Sequence, residues 1–315
     1  MSWQGRSAGC WGPAEMAHVT CVGIAVWDLV FSVDAHPDGP GKYRAGALHE
    51  VGGGVAARAA KAVASLDGDT AFIGCIGDDP VGERIVEDLA GSGVDTGAVR
   101  RITGVASPVS AVFVDTAGER LVVNHVGSGL FEAGRLVQAE EIAGSDVVLA
   151  DMRWSEGSLS ALVAARTAGV PTVVDCDHDP TVGRGLEVIA AASHVVFSLP
   201  TLAALTGVLE ADEALRLVGS YTDAWVAATA GPDGVYWLDD SGPCHLPAFP
   251  VDAVDTLGAG DVFHGAFSLA LAENQALEAA IRFASAAAAL SCTRASGRTE
   301  ICDRAEVEAL LGGCG

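Results

Sequence analysis

The stretch that decides the fold is VDTLGAGDVFHGAF, residues 254–267. Its small residues Gly258, Ala259 and Gly260 lead directly into an apolar helical pattern, and Asp261 falls in the first turn of that helix. Glycines allow successive backbone N–H groups to point toward one position, and the start of a helix adds the positive end of its dipole. The stretch therefore predicts a cradle for an anion at a helix N-terminus.

Asp261 suggests what such a cradle is for. A carboxylate beside a bound anion is not a ligand for that anion, but it can accept the proton of a hydroxyl group that attacks it. The combination predicts phosphoryl transfer to an alcohol. The alternative is an ordinary helix N-terminus at which Asp261 only complements the dipole, because short glycine motifs recur by chance.

Size and composition are compatible with one large α/β domain or with two small ones. The chain has 315 residues, and 50% of them are hydrophobic, so it can bury a sizeable core. The sequence contains no apolar run long enough to span a membrane. Residues 1–16 lack the basic start and apolar centre of a signal peptide, and we expect them to form a disordered extension.

Charge and cysteine content restrict the partners and the compartment. The formal net charge of −23 argues against nucleic acid and anionic membranes, because both would be repelled. Nucleoside triphosphates are anionic too, but the Debye length is about 8 Å at physiological salt, so local positive groups and Mg²⁺ can dominate at a site. The 8 cysteines include no CxxC pair, which fits neither a zinc site nor a small secreted framework. We expect reduced thiols and a cytoplasmic location.

The N-terminal part of the chain holds two candidate substrate contacts. An apolar run from Val19 to Val26 predicts a strand, and Asp28 follows at its end, where α/β proteins bind ligands. A turn aspartate is the alternative. Further on, Gly52, Gly53 and Gly54 precede an alanine-rich helical pattern. These glycines permit either a close backbone approach to a bound molecule or tight helix packing.

Two pairs of short alternating segments predict a small β lid over the site. The first pair lies in about residues 26–50 and contains Lys42, for which a solvated lysine is the default interpretation. The second lies in about residues 106–126, where two strands are joined by the turn DTAG. Asn124 stands at the end of this second pair.

The second half of the chain alternates strand and helix patterns. The strands VVLAD (147–151), TVVDCD (172–177), HVVFS (194–198) and WVAATAG (225–231) are largely apolar, which predicts a parallel sheet covered on both faces. Ligands bind at the carboxyl ends of such strands, and Arg153 follows the first of them. Thr229 to Gly234, reading TAGPDG, follows the last. A solvated arginine and an ordinary β-turn are the alternatives for these two features.

The string DTLGAGD followed by FHGAF resembles the C-terminal signature of the ribokinase-like (PfkB) family of sugar and nucleoside kinases. Further matches come in the family's order from about Val19 to Arg304. They include GxxxxD at Gly23 to Asp28, the segment IGCIGDD and the turn TxGxxG. The resemblance implies an α/β fold, the ribokinase-like three-layer sandwich with a mostly parallel central sheet and a small β lid. The kinase domain would span residues 17–315.

The same resemblance implies roles for individual residues. Asp261 would be the catalytic base, and Gly258, Ala259 and Gly260 would form the anion hole. The residues implied to bind the sugar are Asp28, Gly53 and Gly54. Those implied to lie near the nucleotide are Thr229, Gly231 and Gly234. The implied ligands are ATP and Mg²⁺, with a monovalent cation such as K⁺ as a further candidate.

Two departures from the family pattern affect the expected site. The family usually reads GGxxxN where this chain has Gly53, Gly54 and then Ala57 and Arg58, so the ordinary sugar contact is altered. The family's NxxE pair, which organises phosphate and Mg²⁺, is replaced by Ser198 and Thr201. Either Asp175 and Asp177 help to hold the metal through water, or the metal relies on the nucleotide phosphates.

Within the family, the chain resembles the 6-deoxy-6-sulfofructose kinases, on strings such as CVGIAVWD, GKY and VVLADMRW. That subgroup implies that Lys42, Asn124 and Arg153 hold a sulfonate. Their chemistry suits the role, since arginine offers a planar fork of donors, lysine a point charge and asparagine a neutral donor. The implied reaction is the ATP-dependent phosphorylation of 6-deoxy-6-sulfofructose to its 1-phosphate. A phosphate would be nearly as well served.

Other functions stay open at this point. Ribokinase, fructokinase and 2-keto-3-deoxygluconate kinase are the rivals within the family. A sensor that binds sugar or nucleotide without turnover is favoured by the absent NxxE pair and opposed by the intact Gly258–Asp261 cluster. A hydride-transferring Rossmann enzyme rests on Gly52 to Gly54 alone, and the chain lacks GxGxxG after its first strand.

The lid also predicts a partner. Its outer face would be a thin sheet with exposed apolar residues such as Val112, Val114 and Val122. Such a surface favours a homodimer in which two lids pair.

Overall fold

The structure is a computed structural model that describes residues 16–116, 118–294 and 301–313. The expected N-terminal extension lies outside the described residues, apart from Met16. The strands in the described ranges are β1 (His18–Val22), β2 (Val26–Ser32), β3 (Ala47–Gly53), β4 (Asp69–Ile73), β5 (Cys75–Gly77), β6 (Arg100–Ile102), β7 (Val109–Val114), β8 (Arg120–His125), β9 (Val147–Asp151), β10 (Thr172–Cys176), β11 (His194–Ser198), β12 (Trp225–Thr229), β13 (Val235–Asp239) and β14 (Gly242–Leu246). The helices are α1 (Val55–Ser65), α2 (Pro80–Gly91), α3 (Leu130–Ala133), α4 (Ser155–Ala168), α5 (Gly185–Ala191), α6 (Leu199–Thr206), α7 (Ala211–Gly219), α8 (Ala259–Ala272), α9 (Leu277–Cys292) and α10 (Arg304–Gly313).

The central sheet has eight strands in the order β14-β13-β12-β11-β10-β9-β1-β4. All neighbours from β4 to β12 pair in parallel, whereas β13 is antiparallel to both β12 and β14. The strands β9 and β10 are buried along their whole length, as expected when helices cover both faces. The mostly parallel sheet predicted from the alternating patterns is confirmed.

Helices form a layer on each face of this sheet. One face carries α1, α8 and α9, which pack around buried side chains that include Phe72, Phe263 and Phe267. The other face carries α4 to α7, around side chains that include Trp154, Leu162 and Phe197. The layers make the expected three-layer arrangement. In the described ranges no helix has the length and apolar character needed to cross a membrane.

A second sheet of four strands, in the order β3-β2-β7-β8, forms the element that we call the lid. It consists of two antiparallel pairs, β2 with β3 and β7 with β8, joined by a parallel pairing of β2 with β7. Strands β2, β7 and β8 fall within the two segments that the sequence assigned to the lid, whereas β3 continues to Gly53, beyond the predicted end of the first segment at about residue 50.

The faces of the lid differ from the sequence-based expectation. Val112 is buried in a small cluster with Val30 and Val51, and Val114 packs against that cluster. Val122 is the direct cross-strand partner of Val112, and opposed residues share a face, so all three predicted valines belong to the inner side. The prediction of an outer position was wrong for all three valines, although Val122 is exposed as expected. Side chains alternate along a strand, and the assigned face was one residue out.

The outer face of the lid is apolar nevertheless. It carries the stacked rings of Phe31 and Phe113, with centroids 5.4 Å apart, and their neighbour Leu121 across the strand. Leu121 and Val123 on this face are both exposed. The outer surface of the lid is therefore apolar, although the residues that make it so are not the predicted ones.

The predicted first strand, Val19 to Val26, is two strands in different sheets. The strand β1 ends at Val22, and the chain then turns at Gly23, whose φ is +154°. A Cβ on Gly23 would lie 2.1 Å from a carboxylate oxygen of Asp151, so the turn requires glycine. Asp28 is consequently inside the lid strand β2 rather than at the end of a central strand. The apolar run continues through the turn and so conceals it.

Candidate active site

The loop before α8 has a fixed conformation. The backbone amides of Val254 and Asp255 donate to the carbonyl oxygen of Cys292 at 2.7 and 3.1 Å, and the Asp255 carboxylate accepts from the Leu257 amide at 2.9 Å. Gly258 caps the helix with φ +78°, a left-handed conformation that favours glycine. The first turn of α8 is thereby presented at the edge of the central sheet.

The amides of this turn are the donors expected of an anion cradle. Within the ranges that the structure describes, the amides of Gly258, Gly260 and Asp261 have no hydrogen-bond acceptor. The amide of Ala259 donates to the carbonyl of Thr256 at 3.3 Å, a long bond that closes the turn. Free amides at a helix N-terminus attract an anion. The geometry therefore offers an anion site at the predicted place, with Ala259 contributing less than its neighbours.

Asp261 is half-buried beside this cradle. Burial raises the pKa of its carboxyl group well above the usual value, and the negative charge of Asp175 adds to this effect. The Arg58 guanidinium opposes the rise. A carboxylate with a raised pKa is a better proton acceptor from an attacking hydroxyl than an ordinary surface aspartate.

A buried ion pair lies directly under the cradle. His264, one turn after Gly260, places its Nδ1 2.9 Å from Asp175 Oδ2 and 2.7 Å from the Gly260 carbonyl oxygen. Its Nε2 lies 3.3 Å from the carbonyl oxygen of Val196. Acceptors at both ring nitrogens favour the imidazolium form. Burial alone would lower the pKa of His264, but the Asp175 carboxylate and these hydrogen bonds outweigh it and raise the pKa to about 9.

Asp175 lies near the carboxyl end of β10, opposite Asp151 of β9, and Asp177 follows directly after the strand. Asp177 Oδ2 accepts from Arg153 Nη2 at 2.8 Å, so the two predicted features form one ion pair. Burial raises the pKa of Asp177, with Asp175 adding to the rise and Arg153 opposing it. In the described part of the chain, the Oδ1 atoms of Asp175 and Asp177 are buried without hydrogen-bond partners. Free carboxylate oxygens of this kind suit a hard cation or its waters.

The glycines before α1 make room for the protein's own groups. A Cβ on Gly53 would lie 2.0 Å from Asp28 Oδ2, and one on Gly54 would lie 2.5 Å from the Ile24 carbonyl oxygen. Gly54 also has φ +96°. The two glycines therefore allow close packing of the backbone, which brings Asp28 against the start of α1. There Arg58 Nη2 donates to Asp28 Oδ2 at 2.8 Å.

Asn124 and Lys42 occupy different parts of the lid. The register places Asn124, Ser110 and Asp28 side by side on the inner face, and Asn124 Nδ2 donates to Ser110 Oγ at 3.0 Å. Lys42 lies in the exposed connection between β2 and β3. In the described ranges, no hydrogen bond or ion pair joins Lys42 to Asn124 or Arg153. The structure thus brings Asp28 and Asn124 together and leaves Lys42 apart from them.

The residues predicted to lie near the nucleotide sit between β12 and β13. Thr229 is the last residue of β12, and its hydroxyl donates to the Phe197 carbonyl at 3.3 Å. Gly231 and Gly234 frame a short 3₁₀ turn, with φ values of +55° and +94°. A Cβ on Gly234 would lie 2.0 Å from the Leu246 carbonyl oxygen, so this position needs glycine for packing.

The lid lies against the cradle loop. Arg120 Nη2 on β8 donates to Thr256 Oγ1 at 2.8 Å, and Leu257 packs against the inner cluster of Val30, Val51 and Val112. The lid and the loop before α8 are therefore in direct contact.

Asp151 is a central residue that the sequence reasoning did not single out. It is buried at the end of β9, where Oδ2 accepts from the amides of Ile24 and Ala56 at 2.7 and 3.2 Å. Oδ1 accepts from the Arg153 amide at 2.8 Å. Burial raises the pKa of Asp151 to about 6. Its place at the carboxyl end of an apolar strand, two residues before Arg153, was the signal available. His264 and Arg120 carried no comparable signal, since their partners are distant in sequence.

A match to a known family identifies the class of protein to which this site belongs. The model of the pfkB family carbohydrate kinases matches residues 16–303. The chain belongs to the pfkB family of carbohydrate kinases. It is therefore a phosphotransferase with an alcohol group as acceptor, as the cradle and Asp261 predicted.

Two relatives that are similar in sequence are named as kinases of ribose compounds. The chain is 30% identical over 300 residues to the ribokinase of Bacillus subtilis, covering 94% of this chain and 100% of the relative. It is 31% identical over 291 residues to the ATP-dependent ribose-1-phosphate kinase of Halopiger xanaduensis, covering 90% and 95% of the two chains.

Solved structures agree on the fold of this pfkB kinase. A protein from Agrobacterium tumefaciens assigned as a candidate ribokinase has a TM-score of 0.90 and 39% identity, covering 95% of this chain and 99% of the other. Arabidopsis thaliana ribokinase, solved with ribose and ATP, has a TM-score of 0.83 and 25% identity at the same coverage. The ribokinase-like three-layer sandwich expected from the sequence is confirmed.

Proposed function

We propose that this carbohydrate kinase transfers a phosphoryl group from ATP to a sugar that carries an anion at its far end, with 6-deoxy-6-sulfofructose as the acceptor and its 1-phosphate as the product. The observation that carries the proposal is Arg153. It stands at the carboxyl edge of the sheet beside Asp177, in the same charged cluster as Asp261. An arginine there supplies a donor fork for a sulfonate or phosphate.

Asp261 and the first turn of α8 perform the chemistry in this proposal. The acceptor hydroxyl gives its proton to Asp261 while its oxygen forms a bond to the terminal phosphorus of ATP. The bond between that phosphorus and the ADP oxygen breaks, and ADP leaves with the electron pair. The free amides of Gly258 and Gly260 stabilise the charge on the transferring group, so positioning and electrostatics supply most of the acceleration.

The nucleotide occupies the side of the cradle toward Thr229, Gly231 and Gly234. ATP as the donor is supported by the Arabidopsis ribokinase, which was solved with ATP, and by the ATP-dependent relative from Halopiger. A Cβ on Gly231 would meet nothing within 4 Å, so the backbone of this turn is accessible to a flat ligand. A cytoplasmic location stays a prediction from the cysteine pattern.

Mg²⁺ fits the carboxylates of Asp175 and Asp177 at the carboxyl end of β10. The unpartnered Oδ1 atoms of Asp175 and Asp177 would hold it through water, because within the described ranges no group of three or more metal-ligating side chains is present. Mg²⁺ usually keeps several waters and takes the rest of its ligands from substrate phosphates. Bound there, the ion would neutralise phosphate charge. A monovalent cation such as K⁺ stays a prediction from the family resemblance.

The acceptor occupies the space between the lid and the sheet edge. Asp28, Asn124 and the backbone at Gly53 and Gly54 border it from the lid side, and Arg153 borders it from the sheet. Lys42 would join the anion from the exposed lid connection after a movement of that connection. Because the anion contacts both sides, a sugar with a neutral hydroxyl in its place should close the lid poorly.

Ribose 1-phosphate is the second candidate acceptor. The relative from Halopiger is named for a kinase of this compound, and a phosphate suits Arg153 and Asn124 nearly as well as a sulfonate. Neutral ribose, fructose and 2-keto-3-deoxygluconate are the rivals. A sensor without turnover is the alternative of another kind.

An acceptor panel tests the proposed function. Purified protein with Mg²⁺ and ATP is assayed by coupled ADP release against sulfofructose, ribose 1-phosphate, fructose, fructose 6-phosphate, ribose and 2-keto-3-deoxygluconate. We expect the highest kcat/KM with sulfofructose. A higher kcat/KM with ribose or fructose would reject the anionic acceptor, and nucleotide binding without ADP release on any sugar would favour the sensor.

The lid is also the proposed dimer contact. Two outer faces would bury Phe31, Phe113, Leu121 and Val123, which a monomer leaves partly in water. Burial of apolar area is the dominant driving force of such association. The central sheet needs no such contact, because helices cover both its faces.

A further inference from the structure

Arg58 occupies a position that the proposed chemistry does not yet use. It lies in the first turns of α1, where the family motif usually has a neutral asparagine, and its guanidinium pairs with Asp28 Oδ2 at 2.8 Å. The two side chains are only 14% and 8% exposed. Asp28 is itself held by a hydrogen bond from Ser110. Arg58 is therefore kept in one place by a carboxylate of the lid.

The other arm of the guanidinium points to the cradle. Arg58 Nη1 lies 2.5 Å from the position that a Cβ on Gly258 would occupy, so the absence of a side chain on Gly258 lets the guanidinium lie against the cap of α8. In the described ranges, Nη1 has no hydrogen-bond acceptor. The charged donor thus reaches the entrance of the anion site.

Two positive ends meet at this point. The N-terminus of α8 carries free amides and the positive end of the helix dipole, and the Arg58 guanidinium adds a full charge beside it. Asp28 already compensates the charge of Arg58, but Nη1 and the free amides are hydrogen-bond donors without an acceptor among the described residues. An anion in the cradle would accept from both groups.

Arg58 also acts on the group that receives the proton. Of the charges around Asp261, Arg58 most strongly favours its ionised form, against burial and the negative Asp175. Arg58 therefore lies against the cradle and also acts electrostatically on Asp261, so it is close to the position at which the phosphoryl group is transferred. Arg153 lies instead beside Asp177, at the sheet edge.

We propose that Arg58 is a catalytic residue, which contacts the phosphoryl group during its transfer, and that Asp28 is the positioning residue that holds it there. The proposal rests on the role of the α8 N-terminus in the proposed function. Arg58 makes and breaks no bond, and the proton still goes to Asp261. Its fixed charge compensates the negative charge on the transferring group, as arginines do in other phosphoryl transfers.

Arg58→Asn is the main test, because it restores the neutral residue of the family motif. Removing a charge-assisted contact costs roughly tenfold to more than a hundredfold. We expect kcat to fall by this factor, while KM for ATP changes much less. The loss should be equal with sulfofructose and with fructose, because the phosphoryl group is common to both. Arg58→Lys, which keeps the charge and the pair with Asp28, should lose less than Arg58→Asn.

Lys61→Met is the matched control. Lys61 lies on the same helix and forms a buried ion pair with Asp88 at 2.8 Å, with side chains 5% and 12% exposed. The control breaks a comparable pair away from the cradle, so it should lower Tm and leave kcat nearly unchanged. Circular dichroism fixes a temperature at which every variant is folded. The affinity for ADP with aluminium fluoride, magnesium and sugar, which mimics the transferring group, should fall in Arg58→Asn and not in Lys61→Met.

Three results would overturn the proposal. An unchanged kcat in Arg58→Asn and in Arg58→Lys would remove Arg58 from the reaction. A loss confined to anionic acceptors would make it a contact for the acceptor anion, and an equal loss in Lys61→Met would make it a stability effect. A wild type that prefers a neutral sugar rejects the proposed acceptor alone, and Arg58 is then judged on that sugar. Absence of turnover on every sugar rejects the proposed function and Arg58's role together.

Discussion

The site contains two arginine–aspartate pairs of the same length that differ in their surroundings. Arg58–Asp28 and Arg153–Asp177 both join at 2.8 Å. The first pair is 14% and 8% exposed and lies between the lid and the cradle, whereas the second is 35% and 33% exposed at the sheet edge. Partly solvated ion pairs contribute little net free energy, about 0–1 kcal/mol, while a buried charge that loses its partner is costly.

The difference in exposure suggests that the two arginine–aspartate pairs have different functions. Arg153 can leave Asp177 for an incoming anion at a lower cost, because both side chains of this pair are partly exposed to water. Arg58 has no such freedom, since leaving Asp28 would bury an unpaired charge. A fixed charge suits a reaction step that is the same for every acceptor, and an exchangeable one suits recognition of a particular acceptor.

The largest expected effect comes from Asp261. Asp261→Asn keeps the shape of the side chain and removes the proton acceptor. We expect turnover to fall by about 10²–10⁴, the usual scale for general acid–base catalysis, with sugar and ATP binding retained. The measurement is kcat by ADP release, with binding by calorimetry. The factor should be the same for every acceptor, since the base serves them all.

Asp69→Asn serves as the control for this change. Asp69 pairs with His18 at the amino end of β4, away from the cradle, and its side chain is 54% exposed. The control should keep its turnover. Near wild-type turnover in Asp261→Asn would reject its role as the base.

A smaller and more selective effect is expected at Arg153. Arg153→Ala removes one charge-assisted contact, so kcat/KM on sulfofructose should fall at least roughly tenfold, with ATP affinity little changed. Neutral fructose or ribose, if turned over, should be much less affected. Arg184→Ala, which removes an exposed arginine paired with Glu187, is the control and should change neither. An equal loss on all sugars would contradict a role in acceptor recognition.

The smallest effect on catalysis is expected from substitutions on the lid, which should change the oligomeric state instead. Val123→Lys places a charge on the proposed dimer contact, while Val122→Lys places it on the inner side of the same strand. The two valines are 58% and 51% exposed, so they form a matched pair. Light scattering at micromolar concentration should show a dimer for wild type and Val122→Lys, and a monomer for Val123→Lys. A monomeric wild type would remove the dimer from the account.

The features predicted well from the sequence are those that local chain geometry determines. The glycine loop, the helix start and Asp261 are adjacent in sequence, so their arrangement follows from the order of residues. The strands Val147–Asp151 and His194–Ser198 have the predicted bounds, because apolar runs between helical patterns admit little else.

The features that were missed depend on contacts between distant residues. Gly23 turns the chain out of the central sheet because the carboxylate of Asp151, 128 residues later in sequence, occupies the space of its side chain. The assignment of Val112 to the outer face failed because alternation along a strand shows which residues share a face. It does not show which of the two faces packs against Leu257. The pairing of Arg58 with Asp28 depends on the lid docking onto α1, which no motif in the sequence encodes.

The most direct test of the account is the acceptor selectivity of the two arginine variants, measured side by side. The quantity is the ratio of kcat/KM for sulfofructose to kcat/KM for fructose in wild type, Arg153→Ala and Arg58→Asn. We expect the ratio to fall by roughly tenfold or more in Arg153→Ala and to stay at the wild-type value in Arg58→Asn, although kcat itself falls there. A ratio that is unchanged in Arg153→Ala, or that falls in Arg58→Asn, would contradict the division between a recognising and a catalytic arginine.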